Sequence, residues 1–137
     1  MRVIVGEHWA LLRKGICAAI QDANLELVAE VNNGGGLVKL TFQYKPDIVV
    51  MDFDLPGLSR EPLIRYIKDV VPAVGILVIS DCSEVGHSRL ISVIEAGAAG
   101  CLSMNASVKG LIQTIEQIHC GEAVAALDVV QQAVANM

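Results

Sequence analysis

No apolar run in this 137-residue chain approaches the ~20 residues that a membrane-spanning helix needs, although 53% of its residues are hydrophobic. The start, MRVIVGEHW, reaches an acid at Glu7 and does not read as a signal peptide. There is no basic stripe, and the net charge of −5 argues against this segment gripping nucleic acid by itself, because nothing replaces the phosphate counterions. Cys17, Cys82, Cys101 and Cys120 show no CxxC spacing, and His8, His87 and His119 show no ligand spacing, so a structural metal is not expected. The cysteines read as small core residues in a reducing cytoplasm. The glycine run at 34–36 lacks both the strand–GxGxxG–helix context and a following Lys-Ser/Thr pair, which argues against a nucleotide loop. No low-complexity segment and no sequence repeat is present. What remains is one domain's worth of chain, long enough to bury roughly two-thirds of its unfolded surface.

What is there alternates. Short apolar runs at 2–6, 47–52, 75–80 and 100–103, and the alternating LELVAEV at 25–31, predict strands. Between and after them, helical spacing predicts helices over 9–21, 37–44, 60–71, 85–96 and from a Ser107 cap onward. DIVVMD and GILVIS are continuously apolar, the signature of strands buried on both faces. Five strand–helix units of this kind predict a parallel sheet covered on both faces by helices, with right-handed crossovers. Ligands of such folds bind at the carboxyl ends of the strands. Those ends carry Glu7, then Asp52 and Asp54, then Ser80 and Asp81, then Met104. A strand that ends on Asp52 would bury a carboxylate at the rim of a core, which is costly unless something binds it or water reaches it.

Five segments in order, VGEHWALLRKGI (5–16), KPDIVVMDFDLPG (45–57), ILVIS (76–80), EAGAAGCLS (95–103) and GLIQTIEQIHCGE (110–122), carry a resemblance. Over residues 1–121 the chain resembles the receiver domain of bacterial two-component response regulators, in the LuxR/NarL-type subfamily whose receivers precede a helix-turn-helix domain. The resemblance implies a flavodoxin-like five-stranded sheet in order 2-1-3-4-5 and no enzymatic activity of its own. It implies that Asp52 is the phosphoacceptor for a partner sensor histidine kinase. Glu7 and Asp52 would supply carboxylates, and Asp54 its backbone carbonyl, to a weakly held Mg²⁺, and the Ser80 hydroxyl would bond the phosphoryl oxygens. Residues 122–137 resemble the linker or C-terminal helix that leads toward a DNA-binding output domain absent from this chain. DNA would be reached only through such a domain, and the setting implied is cytoplasmic, with no membrane partner.

The departures from that pattern are specific. Gly6 stands where the first of two acids is usual, Met104 where a lysine follows strand five, Cys101 at the aromatic switch position and Arg60 at a loop glycine. Methionine cannot pair with an anion, and a lost charge-assisted bond is worth roughly 1.5–3 kcal/mol. Arg60 could replace the missing cation or point into solvent. NNGGG in place of an acidic helix start predicts a short or frayed second helix. Together these predict weakened or atypical phosphorylation at Asp52. The alternatives are a phosphorylation-independent pseudo-receiver that serves as a dimerisation or protein-interaction module, and a small flavodoxin-like cofactor binder. Apolar residues over wide arcs of the last two helices (Leu90, Ile91, Val93 and Ile94; Leu111, Ile112, Ile115 and Ile118) predict an exposed patch and a homodimer.

Overall fold

The computed structural model describes residues 1–80 and 87–121, and for 87–90 the backbone alone. Its elements are β1 (Arg2–Gly6), α1 (Ala10–Asp22), β2 (Glu26–Val31), α2 (Gly34–Tyr44), β3 (Ile48–Asp52), α3 (Arg60–Val70), β4 (Gly75–Ser80), α4 (His87–Ala96), β5 (Gly100–Ser103) and α5 (Val108–His119). The five strands pair in parallel in the order β2-β1-β3-β4-β5, as expected for the flavodoxin-like arrangement.

Side chains alternate across the sheet and build two cores. On one face Ile4, Val49, Met51, Ile76 and Val78 pack with Leu37 of α2, Ile64 and Ile67 of α3 and Val93 of α4. On the other, Val3, Val5, Val50, Leu77 and Ile79 pack with Ile16 and Ile20 of α1 and Leu111 and Ile115 of α5. Every residue of β3 is buried, which is why that strand reads as a continuous apolar run. The Ser107 hydroxyl caps α5 by accepting from the Gly110 N–H at 3.0 Å.

Four expectations are corrected. The second helix is neither short nor frayed. It runs eleven residues from Gly34, and Asn33 caps it with a 2.7 Å bond from the Gly36 N–H to Oδ1. Gly34 and Gly36 are there for close approach. The Gly34 N–H donates to the Pro56 carbonyl at 2.7 Å, and a Cβ on Gly36 would meet Val31 Cγ2 at 2.4 Å. Second, α3 ends one residue earlier than expected, at Val70. Third, the apolar surplus of the last helices is core, not patch, because Val93, Leu111, Ile115 and Ile118 are buried and Ile91, Ile94 and Ile112 half-buried; Leu90 lies outside the described side chains. Fourth, Cys120 is exposed, whereas Cys17 and Cys101 are buried as expected. Cys82, Asp81, the expected helix start at 85–86 and the segment 122–137 lie outside the described residues.

The glycine packing separates two neighbours in one helix. Gly35 is exposed and its Cβ would make only an ordinary 3.5 Å contact with Asn33, so Gly35→Ala should stabilise the fold by about 0.5–1 kcal/mol. Gly36→Ala should instead destabilise it by about 1–3 kcal/mol, because Val31 must give way. Urea unfolding of the two variants checks the opposite signs.

Candidate functional site

The strand register brings three polar side chains to one rim. Gly6 pairs with Met51, Asp52 with Ile79, and Ser80 with Ser103, so Glu7, Asp52 and Ser80 leave neighbouring strands at the same carboxyl edge. All three are buried, at 1%, 2% and 1% exposure. The Glu7 backbone is fixed on both sides, its N–H donating to the Val31 carbonyl at 2.9 Å and its carbonyl accepting from Arg13 Nη1 at 2.9 Å. Arg13 is anchored in turn by Glu30 at 3.2 Å.

The Glu7 carboxyl takes one donor, the Trp9 N–H, at 3.1 Å on Oε1. Its other oxygen, Oε2, is buried and has no hydrogen-bond donor among the described residues. Burial first, and then the Asp52 side chain beside it, push the Glu7 carboxyl up from its ordinary 4.5 to about 7. A proton on Oε2, shared toward Asp52, satisfies the orphaned oxygen; a cation between the two carboxylates would do the same. Asp52 accepts the Asp54 N–H on Oδ1 at 3.0 Å, and its own carbonyl accepts the Leu55 N–H at 3.2 Å. Asp54 itself is exposed, so its side chain stands outside the buried pair and it meets Asp52 through its backbone.

The positions that depart from the receiver pattern are equally plain in space. A Cβ on Gly6 would sit 3.2 Å from methyl groups of both Leu37 and Leu55, so the room for a second acid is taken by apolar packing. Met104 donates its N–H to the Ser80 carbonyl at 3.0 Å, and its side chain borders a cavity of about 70 Å³ with Leu12, Ile16 and Leu111, between α1 and α5. Cys101 is buried within β5. Trp9 is 64% exposed and meets His8 edge-on, with ring centroids 5.3 Å apart, a partial packing at the rim. Arg60 does not point into solvent. It folds back over the buried Phe53 ring, its guanidinium carbon 3.4 Å from the ring centroid, and Nη1 donates to the Phe53 carbonyl at 2.7 Å. Phe53 was invisible as a site residue in the sequence. The acid-Phe-acid run beside an arginine eight residues after Asp52 was the only signal.

The acid pair makes stability depend on pH. Between about 4.5 and about 7 the folded domain keeps a Glu7 proton that the unfolded chain has released. The stabilisation is complete below about 4.5 and is lost as pH rises through about 7. In the presence of a chelator, urea unfolding should therefore show stability falling by about 1–3 kcal/mol from mildly acidic to mildly alkaline pH. Glu7→Gln should flatten that slope.

Comparison with known proteins places the chain in a family. The chain is 28% identical over 133 residues to the response regulator GacA of Pseudomonas aeruginosa, covering 96% of this chain and 61% of that protein. It is 29% identical over 131 residues to the response regulator UvrY of Escherichia coli, covering 95% and 59%. The chain thus spans about three-fifths of the length of the curated relatives it matches. Among solved structures, a LuxR-family two-component response regulator from Aurantimonas sp. SI85-9A1 superposes with a TM-score of 0.87 at 28% identity, over 98% of this chain and 96% of that one. The signal receiver domain of a NarL response regulator from Mycobacterium tuberculosis, at 21% identity and a TM-score of 0.82, shares the fold. The family described as the response regulator receiver domain matches residues 3–116, and this chain belongs to it.

Proposed function

We propose that this receiver domain accepts a phosphoryl group on Asp52, inefficiently, from a sensor histidine kinase, and that in the full-length protein the change is read by a DNA-binding output region. The observation that carries this reading is the buried Glu7–Asp52 pair, whose Glu7 Oε2 has no hydrogen-bond partner among the described residues. Hard oxygen donors of that kind suit Mg²⁺, which takes one or two carboxylates and keeps several waters. Glu7 and Asp52 would hold it, with the Asp54 carbonyl as a third ligand. When bound, Mg²⁺ supplies the positive charge that a transferring phosphoryl group requires. With Gly6 where a second acid is usual, and Leu37 and Leu55 filling the space beside it, the ion would be held weakly.

The chain's own residues do the rest. One oxygen of Asp52 forms a bond to phosphorus as the bond from phosphorus to the donor's nitrogen or oxygen breaks. The Asp54 N–H keeps Oδ1 occupied, which leaves Oδ2 for that attack. Ser80, at the end of β4, would bond the phosphoryl oxygens through its hydroxyl. Met104 offers no charge where the family lysine stands, which is the main reason to expect low occupancy.

A second reading, a pseudo-receiver that associates without phosphate, is favoured by the leucine packing that fills the space above Gly6. Its homodimer would use exposed apolar residues of α1 and the start of α5, Leu11 and Val108, rather than the buried faces of α4 and α5. A cofactor-binding role finds no support, since the glycine run is used in packing α2 against Val31 and the loop after β3.

Intact mass after incubation with acetyl phosphate and Mg²⁺ tests the proposal. We expect partial addition of one phosphoryl group to the native chain, none to Asp52→Asn and more to Met104→Lys. No addition to the native chain or to Met104→Lys, with a dimer in sedimentation without any donor, would establish the second reading instead.

A further inference from the structure

We infer that Arg60 is a positioning residue for the acceptor carboxylate, acting through the single peptide unit that joins Phe53 to Asp54. The inference rests on the proposed role of Asp52 for its purpose, but not for its geometry. The carbonyl of that peptide accepts from Arg60 Nη1 at 2.7 Å, and its N–H donates to Asp52 Oδ1 at 3.0 Å. One planar amide therefore has a guanidinium at one end and the phosphoacceptor at the other.

Such a chain is cooperative. A cation on the carbonyl oxygen polarises the amide and makes its N–H a stronger donor, more so away from bulk water. The site is sheltered. Phe53 is 1% exposed and the Arg60 side chain 15%. Arginine suits the task because its planar head can stack on a ring and donate at its edge at the same time. The stack on Phe53 holds the head flat, and Glu61 Oε1 lies 3.5 Å from Arg60 Nε as an ion pair without a hydrogen bond.

The rest of the loop removes other ways for that peptide to turn. The Phe53 N–H is taken by the Ile79 carbonyl at 2.8 Å, the Leu55 N–H by the Asp52 carbonyl at 3.2 Å and the Pro56 carbonyl by the Gly34 N–H at 2.7 Å. With its neighbours tied, the Phe53–Asp54 amide keeps its orientation, and Asp52 Oδ1 is held by a donor that the guanidinium polarises. The electrostatic effect of Arg60 thus reaches the acceptor one amide removed.

The test separates this relay from simple packing. Arg60→Gln keeps a hydrogen-bond donor without charge, and Arg60→Lys keeps the charge without the planar fork. Backbone amide NMR of the metal-free domain should show the Asp54 proton moving upfield in Arg60→Gln, further than any amide outside residues 52–61, and moving clearly less in Arg60→Lys. The initial rate of phosphoryl addition from acetyl phosphate should fall in Arg60→Gln and recover in part in Arg60→Lys. An Asp54 amide that stays in place in Arg60→Gln, or that moves equally in both variants, would overturn the relay. If the native chain takes no phosphoryl group at all, the proposed function fails, while the amide shifts still decide the role of Arg60.

Discussion

Two carboxyl groups buried side by side, on Glu7 and Asp52, are the constraint around which the upper edge of this sheet is built. Neither can be placed by hydrophobic packing, and two adjacent negative charges out of water are unfavourable unless a proton or a cation lies with them. Burial and the Asp52 neighbour raise Glu7 to about 7, so at neutral pH the pair stands close to the point where a proton is exchanged for something else. Under the proposed function, an ion or a phosphoryl group would compete there with a proton rather than with a tight internal salt bridge.

The fold holds the pair in place from below and from both sides. Two hydrophobic layers fix the strands, and parallel register sets Glu7, Asp52 and Ser80 at one level. Arg13 ties the loop after β1 to β2 through Glu30, and burial with the nearby Glu30 keeps the Cys17 thiol protonated, pushed up to about 11. On the other side the loop after β3 is tied to α2 by glycines that let backbone meet backbone, and to α3 by Arg60. The loop after β3 is thus held in shape by its own chain.

Much of this was legible in the residues, for physical reasons. Short continuous apolar runs such as IVVM fit strands buried on both faces, and five strand–helix units in order leave few topologies. The acids at the strand ends could be placed for the same reason. What the residues hid was decided by tertiary contact. Glycine's poor helix propensity argued for a frayed α2, yet a chain that must pass within contact distance of Val31 and Leu58 excludes a Cβ there, and Asn33 caps the helix anyway. The surplus of apolar residues on α4 and α5 looked like a surface and is core, because a sheet of this kind takes up a wider arc of each helix than one stripe. Arg60 could be given two destinations from sequence; the structure excludes the solvent one, and the stacking on Phe53 that fixes it depends on a ring whose orientation no local pattern encodes.

The acid pair also decides how the domain should respond to a divalent ion. At mildly alkaline pH, where the Glu7 proton is gone, Mg²⁺ bound between the carboxylates would stabilise the folded state by mass action; at mildly acidic pH the proton already fills that place. The direct measurement is the melting temperature with millimolar Mg²⁺ and with chelator, at both pH values, for the native chain and Glu7→Gln. A rise with Mg²⁺ at alkaline pH that disappears at acidic pH and is lost in Glu7→Gln is the predicted result. A melting temperature indifferent to Mg²⁺ at both pH values would contradict a cation-binding acid pair at this site.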